Sequence, residues 1–326
     1  MGSESLSVLG CGRWGGFHLW YGHRVGLSTT GWEPEGSGPL QRLVSTRSNN
    51  YLDLPDGVRL TTDLDEALDA DQLIVSIPAQ RFRGLASRLA RRDLSATDVV
   101  LCMKGIERTT GRRLSQVALE EGVRPRSLST WVGPGHPQQL VRGVPSCMII
   151  ASQSLDDADR IARRMGSSLI RFYRSADLLG VEVGAAAKNV VGIAAGILDG
   201  MEYSGLKGSL MARAPQEVAR LVAAMGGDWR SVYGLSHLGD YEATLFSPYS
   251  RNRACGEALA RGAGSKGLAE GVETSRAICS LAEEFGVEMP IAHTVSRILD
   301  GDTTPEAAIE KLFGRPEKEE FSNSLC

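Results

Sequence analysis

The chain has 326 residues, which predicts two domains that are each large enough to bury a core without disulfides or metal ions. A net charge of -3 argues against a nucleic-acid-binding protein and against one that docks on anionic membranes. The 6 cysteines include no C-x-x-C pair, which excludes the usual structural zinc sites and favours a reducing compartment. No apolar run is long enough to span a bilayer, so we expect a cytoplasmic protein without integral membrane segments.

The first half of the sequence alternates short apolar runs, typical of strands, with helical patterns. This alternation is typical of βαβ units and predicts an α/β fold with a doubly wound, mostly parallel sheet. Ligands of such folds bind beyond the carboxyl ends of the strands. The predicted strands are 6–9, 27–32, 73–77, 99–103, 128–132, 147–151 and 169–173.

The second half of the sequence is helical, because the strand-like runs stop after about residue 180. Gly226, Gly262, Gly286 and Pro290 fall where helices are expected to end. We therefore expect an all-α C-terminal domain over residues 181–326. The predicted helices are 183–201, 210–225, 251–261, 270–285 and a last one near 307–313.

A glycine-rich loop follows the first predicted strand and precedes a helix that is predicted to reach about residue 25. Its G-x-G-x-x-G spacing lets a backbone approach a pyrophosphate at a helix N terminus. A glycine-rich turn without a ligand is the alternative, but the position after a strand favours a Rossmann-type dinucleotide-binding domain over residues 1–180. The predicted cofactor-binding residues of the loop are Gly10, Gly12, Arg13, Trp14 and Gly15.

Two further strand ends carry candidate cofactor residues. Glu33 follows the second strand, at about the 20-residue offset where an acidic side chain binds the adenosine ribose. This favours NAD, with NADP possible, whereas the alternative is an ordinary surface glutamate. Pro78 follows another strand and is expected at the same edge of the sheet.

Two lysines are candidates for acid–base or electrostatic roles. Lys104 follows a strand, where its charge could polarise a carbonyl or bind a phosphate; the alternative is a loop lysine paired with Glu107. Lys188 and Asn189 interrupt an almost uniformly apolar helix. Burial lowers the pKa of a lysine towards the range that proton transfer needs, unless the ammonium group reaches solvent from the helix start.

Asp240 is a candidate partner for a lysine, and it would share one helix face with Thr244. The alternatives are a helix cap or a proton-transferring pair of His237 with Asp240. Further along, Arg251 and Asn252 occupy the first turn of a predicted helix. This helix start suits a phosphate monoester, although a capped, solvent-facing helix start is about as common.

Taken in order along the chain, these motifs resemble those of bacterial NAD(P)-dependent sn-glycerol-3-phosphate dehydrogenases. The resemblance covers nearly the whole chain, and several blocks in the right order are more specific than any one of them. The matching blocks are 10–15, 50–52, 104–107, 133–134, 180–191, 239–253, 269–272 and 288–291.

The resemblance implies reversible hydride transfer between carbon 2 of glycerol 3-phosphate and NAD(P), without a metal, in a homodimer. It implies that Lys188 is the general acid/base, that Asp240 orients it and that Lys104 is a second cation at the reacting oxygen. The remaining implied residues are Asn189, Thr244, Arg251 and Asn252 around the substrate, and Glu270 near the cofactor.

Two segments depart from the family pattern. Residues 133–139 read Gly-Pro-Gly-His-Pro-Gln-Gln where the family usually has Gly-Pro-Ser-Phe-Ala and then a Glu, and residues 203–207 lack the usual Asp-Asn before Lys207. Ala185 and Ala187 replace Gly and Leu beside Lys188. These departures keep two alternatives open, a dehydrogenase of another small phosphorylated or phosphonate hydroxy compound and a non-catalytic NAD-binding sensor.

Overall fold

The computed structural model describes residues 4–263, 269–317 and 319–320, and within them the chain separates into two units. The first unit contains the chain up to Met103 together with Leu114–Leu178. The second contains Lys104–Arg113 and the chain from Leu179 onward. The sequence patterns gave no sign that the segment Lys104–Arg113 belongs with the helical half of the chain.

The described part of the first unit contains one sheet of strands β1 to β8, in the order β3-β2-β1-β4-β5-β6-β7-β8. Neighbouring strands are parallel except for the antiparallel pair β6 and β7, which confirms the predicted, mostly parallel sheet. The short β3 was missed because three residues show no period. The strands are Ser5–Leu9, Ser28–Trp32, Arg59–Thr61, Gln72–Val75, Leu94–Leu101, Pro125–Val132, Ser146–Ser152 and Ile170–Ser175.

Helices cover both faces of this sheet. Successive residues of a strand point to opposite faces, and Val8 and Leu9 of β1 accordingly lie in two separate hydrophobic clusters. The cluster around Val8 includes α1 and α7, and the cluster around Leu9 includes α4 and α5. Helices α1 to α7 are Arg13–Arg24, Gly38–Thr46, Leu64–Leu68, Phe82–Leu89, Leu114–Glu120, Pro137–Val141 and Leu155–Met165.

The described part of the second unit is helical, as predicted, and contains α8 to α13. Pro290 begins α12, so its assignment as a helix-ending residue was wrong. Proline fits the first position of a helix, where its fixed φ is helical and no N–H is needed. The helices are Leu178–Gly200, Lys207–Ala224, Arg251–Ala260, Glu270–Glu284, Pro290–Leu299 and Pro305–Phe313.

Helix α8 forms the centre of this unit. Among the described residues it alone is long and apolar enough to cross a membrane, but 94% of its most apolar window is buried inside the protein. Helix α10 lies against α8 at backbone distance, since a Cβ on Gly196 would be 1.9 Å from the carbonyl oxygen of Arg253. A Cβ on Gly256 would likewise be 2.0 Å from the carbonyl oxygen of Ile193. This close packing brings the polar residues of α8 next to the start of α10.

Candidate active site

The loop between β1 and α1 needs glycine at two positions for reasons internal to the protein. Gly10 has a φ of 107°, and a Cβ there would be 2.4 Å from the carbonyl oxygen of Ser76. A Cβ on Gly15 would be 1.6 Å from the carbonyl oxygen of Gly10. Gly12 differs, because nothing lies within 4 Å of a Cβ placed there. The open space at Gly12 is what a closely approaching ligand requires.

The start of α1 fits the phosphate groups of a dinucleotide. Gly12 is its N-cap and has no side chain to cap the helix, and the first turn carries no acidic residue. The first N–H groups of a helix and its dipole attract anions. Arg13 begins α1, half-buried, whereas the ring of Trp14 packs on Phe17 at a centroid distance of 5.6 Å. Trp14 therefore contributes to the core as well as to the loop.

Glu33 places a carboxylate beside this loop. One of its oxygens accepts a hydrogen bond from the Cys11 N–H at 2.7 Å, and the other accepts one from the Ser37 hydroxyl at 3.0 Å. Pro78 follows β4, which pairs with β1 and continues through a bond from the Ser76 N–H to the Leu9 carbonyl oxygen at 2.8 Å. The glycine loop, Glu33 and Pro78 thus follow three neighbouring strands at one edge of the sheet.

Single alanine substitutions should separate ligand binding from folding in this loop. We expect Gly12→Ala to keep the parent melting temperature and to weaken NADH binding about tenfold or more, because the added methyl group meets only the ligand. The matched Gly15→Ala variant should instead melt several degrees lower, since its Cβ overlaps the Gly10 carbonyl. Fluorescence titration with NADH and thermal melting measure the two effects. Parent-like NADH affinity in Gly12→Ala would contradict the assignment.

In the second unit, two ammonium groups share one carboxylate. Asp240 Oδ2 lies 2.7 Å from Lys104 Nζ and 2.8 Å from Lys188 Nζ. The Asp240 side chain is 1% exposed and that of Lys188 is 10% exposed. Burial lowers the pKa of Lys188 to about 8, with Asp240 opposing this shift and Lys104 adding to it. Lys188 can therefore give up or take a proton near neutral pH.

Thr244 completes this group. Lys188 Nζ donates to Thr244 Oγ1 at 2.8 Å, and the Thr244 hydroxyl donates to the Asp240 carbonyl oxygen at 2.7 Å. The expectation of one regular helix face needs a correction here. Asp240 ends a 3₁₀-helical turn and Thr244 lies in the π-helical turn Glu242–Phe246, a form often found at functional sites.

Asn189 and Asn252 connect the elements around the lysines. Asn189 Nδ2 donates to the Lys104 carbonyl oxygen at 2.8 Å, and its Oδ1 accepts from Asn252 Nδ2 at 3.0 Å. Asn252 Oδ1 accepts from the Gly271 N–H at 3.0 Å. Glu270, which begins α11, precedes Gly271 and so lies next to this chain of amides. The bonds fix the lysine-bearing segments to the starts of α10 and α11.

Gly192, one turn after Lys188, gives this group the room that it needs. A Cβ there would be 2.8 Å from Thr244 Cγ2 and 3.2 Å from the Asn252 Cβ. The absence of a side chain on this face of α8 therefore lets Thr244 and Asn252 approach the helix.

The start of α10 has the features of an anion site. Ser250 is its N-cap and accepts from the Arg253 N–H at 3.3 Å. The side chain of the exposed Arg251 makes no hydrogen bond or ion pair within the part of the chain that the structure describes. A guanidinium group at a helix N terminus suits a phosphate monoester.

His237 does not form the alternative pair with Asp240. Its Nδ1 lies 2.8 Å from the Gly184 carbonyl oxygen and its Nε2 lies 2.6 Å from the Tyr241 hydroxyl oxygen. Burial lowers the pKa of His237 to about 4. The Asp240 N–H donates to the His237 carbonyl oxygen at 3.0 Å, but among the described residues no hydrogen bond joins the imidazole ring to the Asp240 carboxylate, so this alternative for proton transfer was wrong.

The sequence patterns missed a buried ion pair that holds the Lys104–Arg113 segment. Arg113 Nη1 lies 2.6 Å from Glu182 Oε2, and both side chains are almost fully buried. Ile106 of the same segment belongs to the core of the helical unit. A signal was present in the sequence, since Glu182 interrupts the apolar start of α8, but its partner lies far away along the chain.

Comparison with known proteins identifies relatives over nearly the whole chain. Residues 5–158 match the model of the NAD-dependent glycerol-3-phosphate dehydrogenase N-terminus, and residues 177–310 match that of the C-terminus. Glycerol-3-phosphate dehydrogenase [NAD(P)+] of Bradyrhizobium sp. (strain ORS 278) is 38% identical over 97% of this chain and 98% of its own. The protein of that name from Rhodopseudomonas palustris (strain HaA2) is 37% identical over the same shares. The crystal structure of glycerol-3-phosphate dehydrogenase from Coxiella burnetii has a TM-score of 0.90 at 26% identity, covering 96% of this chain and 99% of that one.

Proposed function

The chain belongs to the NAD-dependent glycerol-3-phosphate dehydrogenase family, and we propose that it interconverts sn-glycerol 3-phosphate and dihydroxyacetone phosphate. As a family member it is an NAD(P)-dependent oxidoreductase that acts on a CH–OH group. The observation that carries the proposal is the buried carboxylate of Asp240 between Lys104 and Lys188. A lysine whose pKa lies near neutrality beside a second cation suits the reduction of a carbonyl.

The proposed proton transfer takes place at Lys188. Bound NAD(H) supplies or accepts the hydride. In the reducing direction the Lys188 ammonium group gives its proton to the oxygen on carbon 2, and in the oxidising direction the neutral amine removes it. Lys104 stabilises the negative oxygen, while Asp240 holds both ammonium groups in place.

The substrate phosphate has a separate place in this proposal. Arg251 and the N terminus of α10 bind it, and Asn252 borders the same turn. Asn189 and Thr244 hold the hydroxyl-bearing end of the substrate, close to the lysines. Arg13 and Pro78 are proposed to contribute to dinucleotide binding, and Glu270 is a further cofactor residue that the family resemblance implies.

We propose NAD rather than NADP as the preferred cofactor. The Glu33 carboxylate beside the Cys11 N–H can accept hydrogen bonds from the adenosine ribose hydroxyls. It would repel the additional 2′-phosphate of NADP. Ser37, through its bond to the second carboxylate oxygen, keeps Glu33 in this orientation.

The two alternative functions differ in how well the structure supports them. Gly133 and Gly135 have φ values of 137° and 136°, so the altered segment 133–139 has a backbone that favours glycine. The departure of this segment from the family pattern is what supports the alternative of a different phosphorylated substrate. A non-catalytic sensor has no use for a buried lysine and aspartate pair, and the proximity of Lys188 to Asp240 speaks against it.

We also propose a cytoplasmic homodimer. The described cysteines are free thiols, the state that a reducing cytoplasm maintains, and Cys326 lies outside the described residues. The dimer rests on the family resemblance.

A spectrophotometric assay tests the proposed function. Purified protein is mixed with dihydroxyacetone phosphate and either NADH or NADPH, and the loss of reduced-nicotinamide absorbance is followed. We expect turnover with both cofactors and a kcat/KM about tenfold or more higher with NADH, because of Glu33. Lys188→Ala is the control for catalysis by this site.

Two outcomes would contradict the proposal. If the protein binds NADH but does not oxidise it, whichever phosphorylated ketone is added, the result would favour the sensor alternative. Activity only with another phosphorylated or phosphonate hydroxy compound would move the assignment to that substrate. A preference for NADPH would overturn the role given to Glu33 and leave the reaction unaffected.

A further inference from the structure

A second ionic cluster lies next to the candidate active site, within the helical unit. Asp199 Oδ1 is 2.6 Å from Lys207 Nζ, and Asp199 Oδ2 is 2.7 Å from Arg253 Nη1. The Ser204 hydroxyl donates to Asp199 Oδ1 at 3.0 Å. The Asp199 side chain is 14% exposed and that of Lys207 is 9% exposed. The cluster is thus mostly shielded from water, where such contacts are stronger than at the surface.

The positions of two members run against the stability of their own helices. Asp199 is in the last turn of α8, where the helix dipole disfavours a negative charge. Lys207 begins α9, where the dipole disfavours a positive charge. The stability of α8 and α9 therefore does not account for these two charges, and their contacts with other segments explain them better.

Both cations of the cluster also bind backbone carbonyl groups. Lys207 Nζ donates to the Leu245 carbonyl oxygen at 3.1 Å, and Arg253 Nε donates to that of Ser247 at 3.3 Å. Lys207 Nζ also lies 5.0 Å from the centre of the Phe246 ring. The bound segment, residues 245–247, contains the last two residues of the π-helical turn and the extended Ser247 that ends it.

Residues 245–247 connect the two ends of the proposed substrate site. Thr244, directly before them, accepts the hydrogen bond from Lys188 Nζ. Ser250, shortly after them, caps the helix that presents Arg251. Residues 245–247 thus link the residue that contacts Lys188 Nζ to the cap of the helix that carries Arg251.

Asp199 is ionised in this setting. Burial alone would raise the pKa of Asp199, but hydrogen bonds from Lys207, Arg253 and Ser204 outweigh burial and lower it. The negative charge that holds the two cations is therefore present throughout the neutral range.

We propose that Asp199, Lys207 and Arg253 are specificity-determining positioning residues, which fix the spacing between Lys188 and the Arg251 end of the site. This inference rests on the proposed function. The cluster selects substrates by the number of atoms between the reacting carbonyl carbon and the phosphate. It touches no reacting atom and acts through the backbone of residues 245–247.

The test compares two substrates of different length in the full-length protein. One is dihydroxyacetone phosphate, and the other is 1,4-dihydroxybutan-2-one 4-phosphate, which has one more methylene between carbonyl and phosphate. Asp199→Asn keeps the size of the side chain and removes its charge. We expect the ratio of kcat/KM for dihydroxyacetone phosphate to kcat/KM for the longer ketone to fall about tenfold. The fall should arise mainly from a higher KM for dihydroxyacetone phosphate. Turnover of unphosphorylated dihydroxyacetone and the pH dependence should stay at parent values.

Control variants separate positioning from general damage. Asp300→Asn removes a carboxylate that pairs with Arg276 in the same unit and should leave the ratio unchanged. Arg253→Lys keeps the charge but loses the bond to Ser247, so it should lower the ratio less than Asp199→Asn. It also provides the measurement if Asp199→Asn does not fold.

Two results would overturn the inference. These are an unchanged ratio in Asp199→Asn and in Arg253→Lys, or an equal loss on all three substrates, which is the sign of a purely structural role. A parent protein without activity on dihydroxyacetone phosphate would instead refute the proposed function.

Discussion

Lys188→Ala is expected to lower kcat for reduction of dihydroxyacetone phosphate by about 10²–10⁴-fold, the range that general acid–base catalysis contributes. The variant loses the only group in the proposed mechanism that gives a proton to the substrate oxygen. NADH binding should not change, since Lys188 is not among the proposed cofactor-binding residues. Steady-state kinetics and NADH titration measure both effects.

Two further variants distinguish proton transfer from charge. Lys188→Arg keeps a positive charge, but a guanidinium group does not release its proton at neutral pH, so we expect a loss nearly as large. Methylamine should partly restore turnover to Lys188→Ala by occupying the vacated space. His237→Gln should keep most of the parent kcat if folded, because both ring nitrogens of His237 already have structural partners. Parent-like kcat in Lys188→Ala would refute the mechanism.

The pH profile of the parent enzyme tests the same assignment of Lys188 as the proton-transferring group. The pKa of Lys188 is about 8, lowered chiefly by burial. Reduction needs the protonated form, so its kcat/KM should be level below pH 8 and fall as pH rises through 8. Oxidation needs the neutral form and should show the opposite dependence. Both limbs should move or vanish in Lys188→Arg.

The features of the fold that sequence could predict are those that depend on neighbouring residues. The glycine loop was recognisable because Gly10, Gly12 and Gly15 follow an apolar strand at fixed spacing. Lys188 stood out because two polar residues interrupt a helix that is otherwise apolar. Each of these signals lies within one turn or one βα unit, where side-chain periodicity is informative.

The contacts that complete the candidate site come from segments far apart in the chain. The sequence patterns contained no sign that Lys104 and Lys188 share one oxygen of Asp240, because that depends on how Lys104–Arg113 packs in the helical unit. The π-helical turn at Thr244 has no periodic pattern, so a regular helix face was expected there. Asp199 was missed because an aspartate near a helix end is common, and its meaning depends on Lys207 and Arg253.

Arg251 is the residue whose loss should separate phosphate binding from proton transfer at Lys188. Arg251→Ala is expected to lower kcat/KM for dihydroxyacetone phosphate by about 10²-fold, the effect of losing charged hydrogen bonds worth about 3 kcal/mol. Activity on dihydroxyacetone, which has no phosphate, should stay at the parent level. Steady-state kinetics with both substrates, together with inhibition by inorganic phosphate, measure the difference.

The effect of Arg251→Ala on kcat depends on whether the binding energy of the phosphate group also aligns the carbonyl group. If the phosphate contacts hold the carbonyl group against Lys188, their loss lowers kcat as well as raising KM, because remote binding energy also aligns the reacting atoms. Arg261→Ala is the matched control, since Arg261 directly follows α10 and pairs with Glu257 at the surface. Equal losses with and without the phosphate in Arg251→Ala would show that Arg251 supports the fold of α10 rather than the substrate, and the proposed phosphate site would have to lie elsewhere.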